Sequence, residues 1–121
     1  MTTNRVIRVA AVQIAPDLES AMGTVDKVCR AIQEAGEKGA KMVVFPETFV
    51  PYYPYFSFVE PAVKMGAAHL KLYERAVTVP GPVTQAVGEA ARKAGAVVVL
   101  GINERDHGSL YNTQLIFDET G

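Results

Sequence analysis

Glu47 is the residue in this sequence best placed to do chemistry. It follows the apolar run Met42-Val43-Val44-Phe45-Pro46 and precedes Thr48 and a loop. The run reads as a short buried strand, and in α/β sheets ligands bind beyond the carboxyl ends of strands. A carboxylate held there by a rigid strand can serve as a general base. Desolvation disfavours the ionised form of a carboxyl group, which is how such a base is tuned toward neutral pH. We therefore expect Glu47 largely buried, at a strand end and facing a cavity. A solvated glutamate capping the following turn would occupy the same position, so position alone leaves both readings open.

The loop that follows carries a second signal. Phe49, Tyr52, Tyr53, Tyr55, Phe56 and Phe58 are six of the chain's ten Phe and Tyr residues. So much apolar surface in one loop fits a pocket wall, an interface or a plug over the sheet. Pro51 and Pro54 stiffen it. Other reactive residue types carry less. Cys29 falls on a helical stripe with Val25, Val28 and Ile32. There a free thiol behaves as a small hydrophobe, and no cation shares the stripe to lower its pKa. His69 and His107 are too isolated for a metal site, which needs several ligands at close spacing. The spacing of Gly81, Gly88, Gly95 and Gly101 fits neither a dinucleotide-binding loop nor a P-loop.

The elements that must position these residues follow from periodicity and breakers. Val6 to Ile14 reads as a strand covered on both faces. The spacing of Val25, Val28, Cys29, Ile32 and Ala35 predicts a helix over 24–38. Lys41 to Phe45 is a second strand. A helix is expected over Glu60–Ala76, with Pro61 tolerated in its first turn. Pro80-Gly81-Pro82 is a hard break, followed by a helix over Val83–Ala94 that Gly95 stops. Ala96–Leu100 is a third strand, Arg105–Ser109 a polar turn and Leu110–Phe117 a fourth strand. The order strand–helix–strand–helix–helix–strand–strand argues for an α/β layered domain. The terminal Asp-Glu-Thr-Gly is turn chemistry without a partner strand after it, and the last strand would be an exposed edge. We expect the 121 residues to be part of a longer chain.

Composition narrows the function. Lys and Arg total 12, Asp and Glu total 13, and the net charge is −1. Nucleic-acid binding needs clustered cations, so a polyanion partner is not expected. No apolar run is long enough for a membrane span, and the N-terminus lacks a signal-peptide core. With a single cysteine the chain reads as cytoplasmic.

The segment over 42–58, MVVFPETFVPYYPYFSF, resembles the first catalytic motif of the nitrilases, within the carbon–nitrogen hydrolase superfamily. Ala10 to Pro16, AAVQIAP, is similar to that family's first strand, and Gly101 to Arg105, GINER, and Leu110 to Thr113, LYNT, to its central strands. The resemblance implies the N-terminal part of an αββα sandwich, with residues 1–121 the beginning of a single hydrolase domain that continues into the family's Lys and Cys motifs. It implies a Glu-Lys-Cys mechanism that converts nitriles to carboxylic acids and ammonia, with Glu47 the general base and no metal or organic cofactor. Tyr53 and Phe58 match pocket-wall positions near the substrate. The family assembles as homodimers or larger homo-oligomers. An amidase or carbamoylase using the same residues, or a non-catalytic assembly module, are the alternatives. The segment alone is expected to be inactive, because Cys29 does not lie in the family's cysteine motif.

Overall fold

A computed structural model describes residues 3–121. Its elements run β1 (Val9–Ala11), α1 (Ala21–Glu37), β2 (Met42–Val44), α2 (Gly66–Arg75), α3 (Pro82–Ala94), β3 (Val97–Asp106) and β4 (Ser109–Phe117). Two short 3₁₀ turns, Tyr55–Phe58 and Ala62–Lys64, lie between β2 and α2. The four strands form one sheet in the order β1-β2-β3-β4. β1, β2 and β3 are parallel, and β4 returns antiparallel along β3.

Local chemistry explains the helices. Ser20 caps α1 by accepting a hydrogen bond from the Gly23 amide at 3.0 Å. This cap sets the start at Ala21, three residues ahead of the helix expected from periodicity, and is worth about 1 kcal/mol. The apolar stripe Val25, Val28, Ile32 and Ala35 is buried as its spacing requires. Pro82 occupies the first turn of α3, and Gly95 closes it at φ +59, a left-handed conformation that suits glycine. Between 60 and 76 the expected single helix is divided. Ala62–Lys64 is a 3₁₀ turn, Met65 interrupts the helical geometry, and α2 begins at Gly66.

Side chains alternate across a strand, so each strand offers one set to each face of the sheet. Val43, Phe45, Val98, Leu100 and Ile102 pack with Val25, Val28 and Ile32 of α1 and Val83, Val87 and Ala91 of α3. Both helices therefore cover one face. On the other face Val9 and Ile116 are 50% and 70% exposed. The sheet is thus the α/β half-layer expected from the sequence, with helices on one side and apolar residues facing outward on the other.

Two strands, β1 and β3, differ most in extent from their sequence signals. β1 shrinks to Val9–Ala11 because β2, its partner among the described residues, begins pairing at Met42. β3 runs past Leu100 to Asp106, since it finds new partners beyond β2. Val50 bridges to Ile102 and Val77 bridges to Glu104 on one side, while β4 pairs from Val98 to Asp106 on the other. The expected turn over Arg105–Ser109 tightens accordingly to a hairpin tip at His107-Gly108, with His107 at φ +52.

Candidate active site

β2 delivers Phe45 into the core, and the chain then turns over the sheet at Pro46-Glu47-Thr48. Gly101 makes this turn possible. A Cβ there would stand 2.3 Å from the Pro46 carbonyl oxygen, 2.6 Å from the Thr48 nitrogen and 2.9 Å from the Glu47 carbonyl carbon. Gly101 lies between Leu100 and Ile102, whose side chains face the helices, so the turn rests on the opposite face. Thr48 is buried at φ +42, and its hydroxyl has no hydrogen-bond partner. A β-branched residue in that conformation costs of order 1–3 kcal/mol and persists only where its surroundings hold it.

Asn103 supplies that hold. It is 6% exposed, and its Nδ2 donates to the carbonyls of Thr48, Val50 and Tyr52 at 3.3, 3.4 and 3.0 Å. Backbone bonds continue the attachment, from the Val50 amide to the Gly101 carbonyl at 3.2 Å and from the Asn103 amide to the Val50 carbonyl at 2.8 Å. The loop that starts at Glu47 is in effect a short extra strand segment beside β3.

Glu47 itself is exposed. This corrects the expectation that it would be largely buried against a cavity. The reason is the uncovered sheet face: α1 and α3 lie on the other side, and nothing among the described residues closes over the turn. Its carboxylate accepts a hydrogen bond from Asn112 Nδ2 on β4. Asn112 is directly opposite Asn103 in the β3–β4 register. One amide thus holds the loop and its neighbour holds the carboxylate.

Tyr53 and Phe58 come together. Their rings are nearly parallel, 9° apart in tilt and 6.2 Å between centroids, and Tyr55 leans on Tyr53 at 4.8 Å. Tyr53 is half-buried, while Phe58 is 76% exposed. Phe49 and Tyr52 take the other role considered for this loop. Both are buried, and Phe49 stacks on Phe45 at 6.0 Å. The aromatic loop is therefore divided into two plug residues and an outward-facing ring cluster. The described contacts do not join that cluster to Glu47.

Cys29 sits where the helical stripe puts it. Its thiol approaches the Ala86 carbonyl at 3.7 Å, between α1 and α3. Burial pushes its pKa up and Asp26 adds to the rise, against a smaller opposing effect of Lys93. A thiol kept protonated is a poor nucleophile. A groove of about 550 Å³ runs along these two helices, lined by Cys29, Arg30, Gln33, Ala86 and Lys93 among others, and it opens on the helical side, away from Glu47. His69 packs edge-on to Phe56 at 4.9 Å; the His107 ring meets its neighbour Asp106 at 2.7 Å, and the His107 carbonyl accepts from the Tyr73 hydroxyl at 2.6 Å.

A family model described as carbon-nitrogen hydrolase matches residues 8–121. The chain belongs to the carbon-nitrogen hydrolase family. A nitrilase from Paraburkholderia phymatum is 69% identical over all of this chain and 36% of its own length. An aliphatic nitrilase from Rhodococcus rhodochrous is 44% identical over 94% of this chain and 31% of its own. The chain thus spans about a third of the length of these curated relatives. Among solved structures, XC1258 from Xanthomonas campestris, a CN-hydrolase superfamily protein, superposes with a TM-score of 0.70 at 17% identity. That match covers 93% of this chain and 37% of the other, and it shows that the carbon-nitrogen hydrolase fold is shared. Sequence reasoning identified Glu47 but gave no role to Gly101, Asn103 or Asn112. Part of their signal was present: a glycine and an amide, Gly101 and Asn103, stand on a strand run where β-branched or aromatic residues are the ordinary choice.

Proposed function

We propose that these residues are the N-terminal part of a nitrilase, an enzyme that hydrolyses nitriles to carboxylic acids and ammonia, with Glu47 as its general base. The observation that carries this reading is the placement of Glu47 beyond the carboxyl end of β2, in a chain 69% identical to a protein named a nitrilase. A cysteine and a lysine from the rest of the enzyme complete the set. The thiol, losing its proton to the Glu47 carboxylate, attacks the nitrile carbon to give a thioimidate. Water adds, ammonia leaves, and a thioester remains. A second water, deprotonated by Glu47, releases the acid and frees the thiol. The lysine stabilises the charge that develops in the tetrahedral states. No metal or organic cofactor takes part.

The uncovered sheet face supports the same reading. Further chain or a second copy packed there would remove Glu47 from water, in the setting a tuned carboxylate base requires. Tyr53 and Phe58 lie on the same loop and form a wall of the substrate pocket. The enzyme works as a homodimer or larger homo-oligomer in the cytoplasm, without nucleic acid or membrane.

The test is ammonia release by the full-length protein, supplied in turn with an aliphatic nitrile, an arylacetonitrile, and the matching amides. Release from nitriles with little from amides supports the proposal. Release from amides alone would replace it with an amidase.

A further inference from the structure

We infer that Asn112 is a positioning residue for the Glu47 carboxylate, and that the β3–β4 hairpin carrying it is the device that aims this base. The inference rests on the reading of Glu47 as general base. Three observations converge on the hairpin. Asn112 Nδ2 donates to Glu47 Oε1 across 65 residues of sequence. Asn103, its cross-strand partner, donates to three alternate loop carbonyls at Thr48, Val50 and Tyr52. Gly101, two residues earlier on β3, leaves the space in which the Pro46–Thr48 turn lies.

The physical need is clear from Glu47's surroundings. Its side chain has three rotatable bonds and stands exposed on an open sheet face. A freely turning carboxylate would lose most of the advantage of proximity, which requires the reacting atoms within a few tenths of an ångström of a productive geometry. A single amide donor on a strand of nine residues, each paired with β3, is rigid, and it bonds the carboxylate that must accept the proton. Among the described residues the other carboxylate oxygen, Oε2, accepts no hydrogen bond and can take that proton. Its own backbone is fixed by the β3–β4 ladder, in which Asn103 pairs with Asn112 and Gly101 with Gln114. No step of the chemistry passes through Asn112, so its removal affects the rate only through Glu47.

The experiment uses the full-length enzyme and a double-mutant cycle. Asn112→Ala removes the donor. Asn112→Asp keeps the shape and replaces the donor with a like charge. Both substitutions change one side chain on a strand whose backbone is held by the β3–β4 ladder, and a thermal melt checks that the variants fold. Loss of one hydrogen bond to a charged group should lower kcat about 10- to 100-fold with KM within about twofold of the parent. In a Glu47→Gln background, Asn112→Ala should lower the residual rate less than twofold. If Glu47→Gln is nearly inactive while both Asn112 variants keep the parent kcat, the positioning role is overturned and the general-base reading stands. If Asn112→Ala lowers the rate as much in the Glu47→Gln background as in the parent, Asn112 acts independently of Glu47, and the inference again fails. Near-normal turnover by Glu47→Gln would overturn both.

Discussion

Adding one methyl group at Gly101 should remove most of the activity by displacing Glu47 while leaving the fold in place. In the present geometry a Cβ at residue 101 would lie 2.3 Å from the Pro46 carbonyl oxygen, 2.6 Å from the Thr48 nitrogen and 2.9 Å from the Glu47 carbonyl carbon. All three are backbone atoms, so no side-chain rotation relieves the clash. Ordinary contact begins at 3.4 Å, and the turn must therefore lift by about 1 Å. Lifting it strains the Val50–Gly101 and Asn103–Thr48 hydrogen bonds beneath it. Overpacking of this kind costs about 1–3 kcal/mol of stability, and a misplacement of about 1 Å at a catalytic group costs on the order of 10²-fold in rate. The assay is kcat/KM for nitrile hydrolysis by full-length Gly101→Ala, with a denaturant titration on the same preparation. A variant that folds and keeps kcat/KM within about threefold of the parent would refute the argument that the β3 surface sets the position of Glu47.

Tyr53→Ala and Phe58→Ala in the full-length enzyme should each change the ratio of kcat/KM between small aliphatic and bulky aromatic nitriles, by an amount in the range of about 1–3 kcal/mol per methylene-sized change in a pocket. Unchanged ratios in both variants would leave these rings a purely structural role. Cys29→Ala should keep kcat within about twofold, because that thiol is held protonated between α1 and α3. A large loss of kcat with an unaltered melting curve would contradict its placement in the core. Residues 1–121 expressed alone should release no ammonia from nitriles, since a catalytic set that acts as a unit loses nearly all its power with one member missing. Turnover by a preparation of verified mass would overturn the proposed division of catalytic residues.

Much of this architecture was legible in the residues. The stripe through Val25, Val28 and Ile32 located α1, and Pro82 with Gly95 bracketed α3, because helix periodicity and capping are local properties. The polar run Asn103-Glu104-Arg105-Asp106 concealed the far half of β3. Its strand character comes from pairing with Val50, Val77 and β4, which lie 53, 27 and a few residues away in sequence, and tertiary pairing overrides weak local propensity. The position of Glu47 at a strand end followed from the Met42–Pro46 run. Its exposure did not, because burial depends on what covers the far face of the sheet, and no local pattern reports that. Asn112 was visible as part of a family-like motif. Its partnership with Glu47 emerges only from the register that sets it across from Asn103.

The central claim is that Glu47 is the general base of a nitrile-hydrolysing enzyme, and kcat for full-length Glu47→Gln tests it most directly. The substitution is nearly isosteric, and a melting curve on the same preparation checks that the fold is kept. Loss of the base should lower kcat on the order of 10²–10⁴-fold. A folded variant that hydrolyses nitriles at close to the parent rate would contradict the account.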